Sequence, residues 1–124
     1  MSAYQQISRQ LALVSALVLS ACGGAPLNPA KLAQAQASLH AAETLGADQD
    51  PKAKRHLQLA REQVAQAQRL GADGDGDEGN LYLERASADA ELASQLVRTR
   101  TEAEKTREAW AKSQAVGGPA QAPQ

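Results

Sequence analysis

Residues 51–70 read PKAKRHLQLAREQVAQAQRL, and the organisation of the whole chain can be worked out from them. The apolar residues recur every three or four positions, the spacing of one face of an α-helix: Leu57, Ala60, Val64 and Ala67. Asp50 and Pro51 are typical of a helix start, because aspartate caps the first amides and proline suits the first helical position. Gly71 is a natural stop. The pattern predicts a helix over residues 51–70 with one face buried.

A similar pattern lies upstream of this helix. Asn28 and Pro29 repeat the start signal, and Gly46 supplies a stop. The residues between them form another apolar stripe: Leu32, Ala35, Leu39 and Ala42. A helix is therefore predicted over residues 29–45.

A third helix is predicted from about residue 80 to residue 114, after an acidic, glycine-rich loop at residues 73–79 (DGDGDEG). Its stripe comprises Leu83, Ala86, Ala90, Ala93 and Val97. Beyond Val97 charged residues dominate, so this end of the helix should project past the other two. Residues 115–124 have no periodicity and are predicted to be disordered.

These elements predict an all-α domain at residues 29–114, an up-down-up three-helix hairpin or bundle with an extended third helix. Alanine at many stripe positions lets the helices approach closely. Large core side chains are scarce, because Phe is absent and Tyr82 and Trp110 are the only aromatic residues after residue 21. We therefore expect the domain to rely on self-association or on docking to a partner.

The N-terminal segment has a different character. Residues 1–10 are polar with one charge, Arg9, and residues 11–19 (LALVSALVL) are almost wholly apolar, as in a secretory signal. This run is shorter than the roughly 20 apolar residues that cross a bilayer. Leu19-Ser20-Ala21-Cys22 ends the run and contains the only cysteine. A cleaved signal peptide is therefore predicted at residues 1–21.

The same four residues resemble the lipobox of bacterial lipoproteins. The resemblance implies cleavage before Cys22, a diacylglyceryl group on its thiol and often an acyl chain such as palmitate on the new amine. Residues 22–28 would then form a lipidated tether. The alternatives are an ordinary signal with an incidental cysteine, or a cysteine buried in the core. By analogy with enterobacterial sorting, Gly23 implies the periplasmic face of the outer membrane.

Residues 30–97 resemble a family of small proteobacterial lipoprotein domains of unknown function, which also occur ahead of OmpA-like peptidoglycan-binding domains. Besides the lipobox, the likeness rests on three alanine-rich segments: Ala-x-x-Ser-Leu-x-Ala-Ala-Glu at 35–43, LQLAREQVAQAQ at 57–68 and ERASADAELA at 84–93. The resemblance implies a helical fold and an envelope location without an activity. Because this chain ends after its helices, direct binding to peptidoglycan is not expected.

Charge and motif content disfavour several functional classes. The formal charge of −1 becomes −2 without Arg9, which favours neither nucleic acid binding nor a polybasic membrane surface. His40 and His56 fall on different predicted helices without clustered acids or thiols, so we expect both to be solvated. The chain has no phosphate loop or nucleophile motif, and we predict neither an enzyme nor a cofactor.

Residues 73–84 (DGDGDEGNLYLE) place acidic residues at positions 1, 3, 5 and 12 of a calcium-type loop: Asp73, Asp75, Asp77 and Glu84. Position 6 of such a loop requires glycine but is Glu78 here. The alternative is a solvated turn in which Asp77 or Asn80 caps the third helix.

The sequence thus predicts a noncatalytic envelope lipoprotein, anchored by Cys22, with a structural or protein-interaction role. The expected partner surface lies on the charged end of the third helix: Arg98, Arg100, Arg107 and Trp110. The alternatives are a self-associating coiled-coil spacer and a small-ligand or calcium-binding module. The expected partners are the membrane, through the lipid, and either another envelope protein or a second copy; nucleic acid is not expected.

Overall fold

The fold begins at a capped helix. In the computed structural model, which describes residues 24–117, the Asn28 side chain accepts hydrogen bonds from the amides of Ala30 and Lys31 at 2.9 and 3.3 Å. The helix that follows, α1, is Pro29–Thr44. It ends in a turn in which Gly46 has a φ of +83°, a conformation that glycine adopts without a steric penalty. Both boundaries lie within one residue of the prediction.

Asp50 starts the second helix in the same way. Its carboxylate accepts hydrogen bonds from the amides of Lys52 and Ala53, both at 2.9 Å, and α2 follows as Pro51–Asp73. The third helix, α3, is Gly76–Val116. The prediction of an all-α fold with three helices and a long third one is confirmed for the described residues.

The three helices run up, down and up. Lys31 near the start of α1 pairs with Glu84 near the start of α3, so these two helices are parallel. Asp50 at the start of α2 contacts Arg100 far along α3, so α2 is antiparallel to both. Both α1 and α2 pack chiefly on α3, and they contact each other much less.

The core is built largely of alanine, as the stripes predicted. The fully buried alanines are Ala35, Ala42, Ala47, Ala53, Ala60, Ala67, Ala86, Ala90 and Ala93. Only Leu57 and Leu83 among the larger described side chains are completely buried, while Val64 is 8% exposed. Leu32 and Leu39 of α1 are partly buried against the same core. Small side chains on facing helices therefore allow close approach, and two leucines are the largest side chains that are fully buried.

The connection between α2 and α3 is much shorter than the predicted loop. Helix α2 does not stop at Gly71, because a glycine inside a helix costs only about 1 kcal/mol. It stops where Gly74 takes a φ of +90° and the Asp75 amide bonds the Leu70 carbonyl at 2.8 Å. Gly76 already belongs to α3, so the prediction of a loop at residues 73–79 is wrong.

The far end of α3 also runs past its predicted limit. The helix continues to Val116 because no glycine or proline interrupts it before Gly117. Residues 115 and 116, which the sequence predicts to be disordered, are therefore helical. The predicted signal peptide at residues 1–21, the lipidation site Cys22 and the tail residues 118–124 lie outside the described residues.

Candidate functional site

The segment that leads into α1 is held against the connection between α2 and α3. We call residues 24–28 the strap. The Gly76 amide donates to the Ala25 carbonyl at 2.9 Å, and the Asn28 amide donates to Asn80 Oδ1 at 2.8 Å. Leu27 packs, partly buried, on the core cluster that contains Leu83. The prediction that residues 22–28 form a tether therefore needs correction for residues 24–28, which pack on the bundle.

The glycines of the α2–α3 junction make room for the strap. A Cβ atom on Gly76 would lie 2.0 Å from the Ala25 carbonyl oxygen, and one on Gly24 would lie 1.8 Å from the Gly74 carbonyl oxygen. A Cβ on Gly79 would meet Leu27 at 2.8 Å and the Ala67 carbonyl oxygen at 2.9 Å. Glycine at these positions therefore permits a close backbone approach. In the sequence, Leu27 and the repeated glycines show only that an apolar residue and a flexible junction exist, and they do not indicate that the two meet.

The acidic residues of the proposed calcium loop occupy separate helical positions. Asp73 ends α2, Asp75 precedes α3 and Asp77 lies in its first turn, where acidic side chains suit the helix dipole. Glu84 is directed to Lys31 instead. Within residues 24–117, no group of three His, Cys, Asp or Glu side chains is placed to hold a metal ion. Because two helices replace the twelve-residue loop, the loop interpretation is wrong.

The two histidines differ in their surroundings. His40 is exposed, as predicted. His56 is half-buried between α2 and α3, and its Nδ1 lies 2.9 Å from Asp89 Oδ1. Gln63 donates to the other oxygen of Asp89 at 2.8 Å. The prediction that His56 is solvated is thus wrong, because its partner is distant in sequence and became visible only through packing.

At the opposite end of the bundle from the strap, Arg100 ties α3 to the start of α2. Its Nη1 lies 3.3 Å from Asp50 Oδ2, and its Nε donates to Glu104 at 2.8 Å. The Ala53 amide, with help from Arg100 and Lys52, holds the pKa of Asp50 below its usual value although burial opposes this. Glu104 and Asp50 raise the pKa of Arg100. Arg100, assigned from the sequence to a partner surface, therefore also has a structural contact.

This contact predicts a pH dependence of stability. In an unfolded chain the pKa of an aspartate is about 3.9. The pKa of Asp50 in the folded protein is lower, so ionised Asp50 stabilises the fold above about pH 5. That contribution is lost as the pH falls through the folded pKa. Asp50→Asn keeps a capping side chain but removes the charge, so its melting temperature should vary less between about pH 5 and pH 3.

Melting curves recorded by circular dichroism across this pH range test the prediction. Arg100→Gln is the matched variant, since it keeps the Asp50 carboxylate and its two amide hydrogen bonds. It should lose a smaller part of the pH dependence than Asp50→Asn. Equal slopes for Asp50→Asn and the unsubstituted chain would show that Asp50 is not a source of acid sensitivity.

The remaining predicted partner residues lie where α3 leaves the bundle. We call residues 98–116 the overhang. All of its residues are exposed, including Arg98 and Arg107, and Trp110 is 65% exposed. Arg100 lies at its base and Trp110 lies near its end, so the four predicted residues share one helix. Arg100 and Arg107 border a shallow groove beside the start of α2, and Arg98 and Trp110 lie outside it.

No described helix is both long and apolar enough for a membrane span. Comparison with known proteins finds no matching curated protein and no matching solved structure. A family model described as "Domain of unknown function (DUF4398)" matches residues 30–109, which include most of α1, all of α2 and most of α3. This match covers more than half of the chain, and the protein therefore belongs to the DUF4398 family.

Proposed function

We propose that this protein is a noncatalytic envelope lipoprotein, anchored by acylated Cys22, that presents the overhang of α3 to another protein. The observation that carries the proposal is the position of the strap. Only Gly23 separates Cys22 from the strap, and the strap packs at the end of the bundle where α3 begins. An acyl anchor on Cys22 would therefore join the membrane to that end of the domain.

The direction of α3 supports a role in interaction. Helices α1 and α3 both run away from the strap, and the overhang extends roughly 28 Å beyond residue 97. A helix gains most of its stability from tertiary packing, yet every residue of the overhang is exposed. A partner on this helix would provide the missing packing at a distance from the lipid.

The sequence provides the support for the location. Leu19-Ser20-Ala21-Cys22 follows a short apolar run, and two or three acyl chains make a durable anchor at about 0.8 kcal/mol per buried methylene. Gly23 favours delivery to the periplasmic face of the outer membrane. The resemblance to proteobacterial lipoprotein domains, including those that precede OmpA-like domains, favours the same compartment.

Metabolic labelling tests the anchor. The full chain, produced in a Gram-negative host that is fed radioactive palmitate, should incorporate the label and collect in the outer-membrane fraction. Cys22→Ala should abolish labelling, because it removes the only thiol in the chain. The matched control is Ser20→Ala, which keeps a small residue beside the cleavage site and should still be labelled.

Two results would contradict the proposal. Equal labelling of Cys22→Ala and the unsubstituted chain would place the lipid elsewhere. Release of the unsubstituted chain as a cleaved, unlabelled periplasmic protein would show that the leader is an ordinary secretory signal.

A further inference from the structure

The outer face of α3 carries an uncharged stripe that its own chain leaves exposed except at Leu96, which is partly buried. We call this stripe the seam. Its members alternate four and three residues apart: Leu92, Leu96, Thr99, Ala103, Thr106, Trp110 and Ser113. This is the heptad spacing of a coiled-coil interface. Every charged residue of the overhang lies off the seam, although charges make up much of that segment.

Most of the seam faces away from the bundle core, whereas Leu96 at its near end packs partly against the core cluster that contains Leu57. At about 100° per residue, Leu92 lies half a turn round the helix from Leu83, and Trp110 lies on the same side as Leu92. Burial agrees with this placement, since Leu83 is 0% exposed whereas Leu92 is 43% and Trp110 is 65% exposed. The start of α2 borders the near part of the seam, where Leu96, Thr99 and Ala103 line a groove with Pro51. Further along, Thr106, Trp110 and Ser113 lie on a surface that α3 forms alone.

The charged residues on either side of the seam indicate which partner can bind there and in which direction. One flank has Gln95, Glu102 and Ala109, and the other has Arg100, Arg107 and Gln114. When two identical helices lie parallel and in register, Glu102 of each faces Arg107 of the other. When they lie antiparallel about the same centre, the two arginine-bearing flanks face each other and repel. The pattern therefore favours a second copy of this chain in the parallel orientation.

We propose that two copies join along the seam as a parallel two-stranded coiled coil. Ala103 and the threonines let the helices approach, while Leu92, Trp110 and the exposed part of Leu96 supply the apolar area. Copies anchored in one membrane surface would project α3 in the same direction, and this part of the argument rests on the proposed function. The protein that binds the overhang in the proposed function is, on this inference, a second copy of the same chain.

Cysteine cross-linking in native membranes tests both the partner and its direction. Equivalent seam positions in a parallel pair bring their Cα atoms to within disulfide range, about 4.4–6.8 Å. Thr99→Cys and Ser113→Cys in the full chain should therefore each form a homodimer under mild oxidation. The matched control is Thr101→Cys, which lies on the opposite side of the helix and should remain monomeric. The unsubstituted chain is a second control, because any cross-link that it forms must come from Cys22, its only cysteine.

The outcomes separate the alternatives. An antiparallel pair would cross-link only when Thr99→Cys and Ser113→Cys chains are co-produced, and this would overturn the proposed direction. A cross-linked species that is not twice the mass of the chain would identify another protein as the occupant and overturn the proposal. Equal cross-linking at Thr99→Cys and Thr101→Cys would mean random collision and would also overturn it.

Substitutions at exposed positions provide a second measurement without disturbing the core. Trp110→Ala should weaken dimerisation of the detergent-solubilised full chain by at least about tenfold, because buried aromatic anchors dominate interfaces. Glu102→Lys should also weaken it, and the double variant Glu102→Lys/Arg107→Glu should restore it. If neither Trp110→Ala nor Glu102→Lys weakens dimerisation, and the double variant also matches the unsubstituted chain, the seam is not the dimer interface. Palmitate labelling is read separately, so loss of the dimer and loss of the anchor remain distinguishable.

Discussion

Leu83→Ala is expected to lower the free energy of unfolding by about 2–5 kcal/mol. Leu83 is one of only two large described side chains that are completely buried, and the other buried residues of its core cluster are alanines except Val64. Such short side chains cannot move far enough to fill the space left by an isobutyl group. Since small domains are stable by only about 5–15 kcal/mol, this loss is a large part of the total.

Leu81→Ala is the matched control for this prediction. Leu81 lies two residues away on the same helix but is 53% exposed. Its truncation should change the free energy of unfolding by no more than about 0.5 kcal/mol, as is usual at the surface. Urea titration followed by circular dichroism measures both variants. Similar losses in the two would mean that the alanine-rich face of α3 does not form the core.

Gly76→Ala is expected to release the strap. In a helix this change alone would stabilise the fold by about 0.5–1 kcal/mol. Here the new methyl group would lie 2.0 Å from the Ala25 carbonyl oxygen and 2.5 Å from the Pro26 carbonyl carbon. Both are backbone atoms that cannot rotate away, and forced overpacking costs about 1–3 kcal/mol. The steric cost should prevail, so the protein becomes less stable and Leu27 loses its place on the core.

Hydrogen exchange of the full chain provides a residue-specific measurement of this change. In the unsubstituted chain, the amides at positions 28 and 76 are held by Asn80 Oδ1 and the Ala25 carbonyl. Both should exchange faster in Gly76→Ala. Glu78→Ala, in the same turn but exposed, should retain their protection. If Gly76→Ala instead raised the melting temperature and left both amides protected, the strap would not be packed as described.

The sequence is sufficient to predict the helices and their buried faces because the necessary signals are local. Asn28 and Asp50 precede prolines, and each bonds the amides within three residues of itself. The stripe of α2 was correctly identified, since helical spacing alone brings Leu57 and Val64 to one side. The prediction of where α2 ends is less accurate, because either Gly71 or Gly74 could terminate the helix and the sequence does not distinguish them.

The remaining features depend on residues that are far apart in the chain. Nothing near Gly76 indicates that Ala25 will lie against it, and nothing near His56 indicates Asp89 as its partner. Likewise, Arg100 looks like one more charge on a solvated helix until α2 brings Asp50 beside it. Local patterns therefore determine where helices form and which faces are apolar, since those depend on backbone capping and helical periodicity. Tertiary packing alone decides that the strap occupies the glycine-lined junction and that α3 leaves all of the seam except Leu96 exposed.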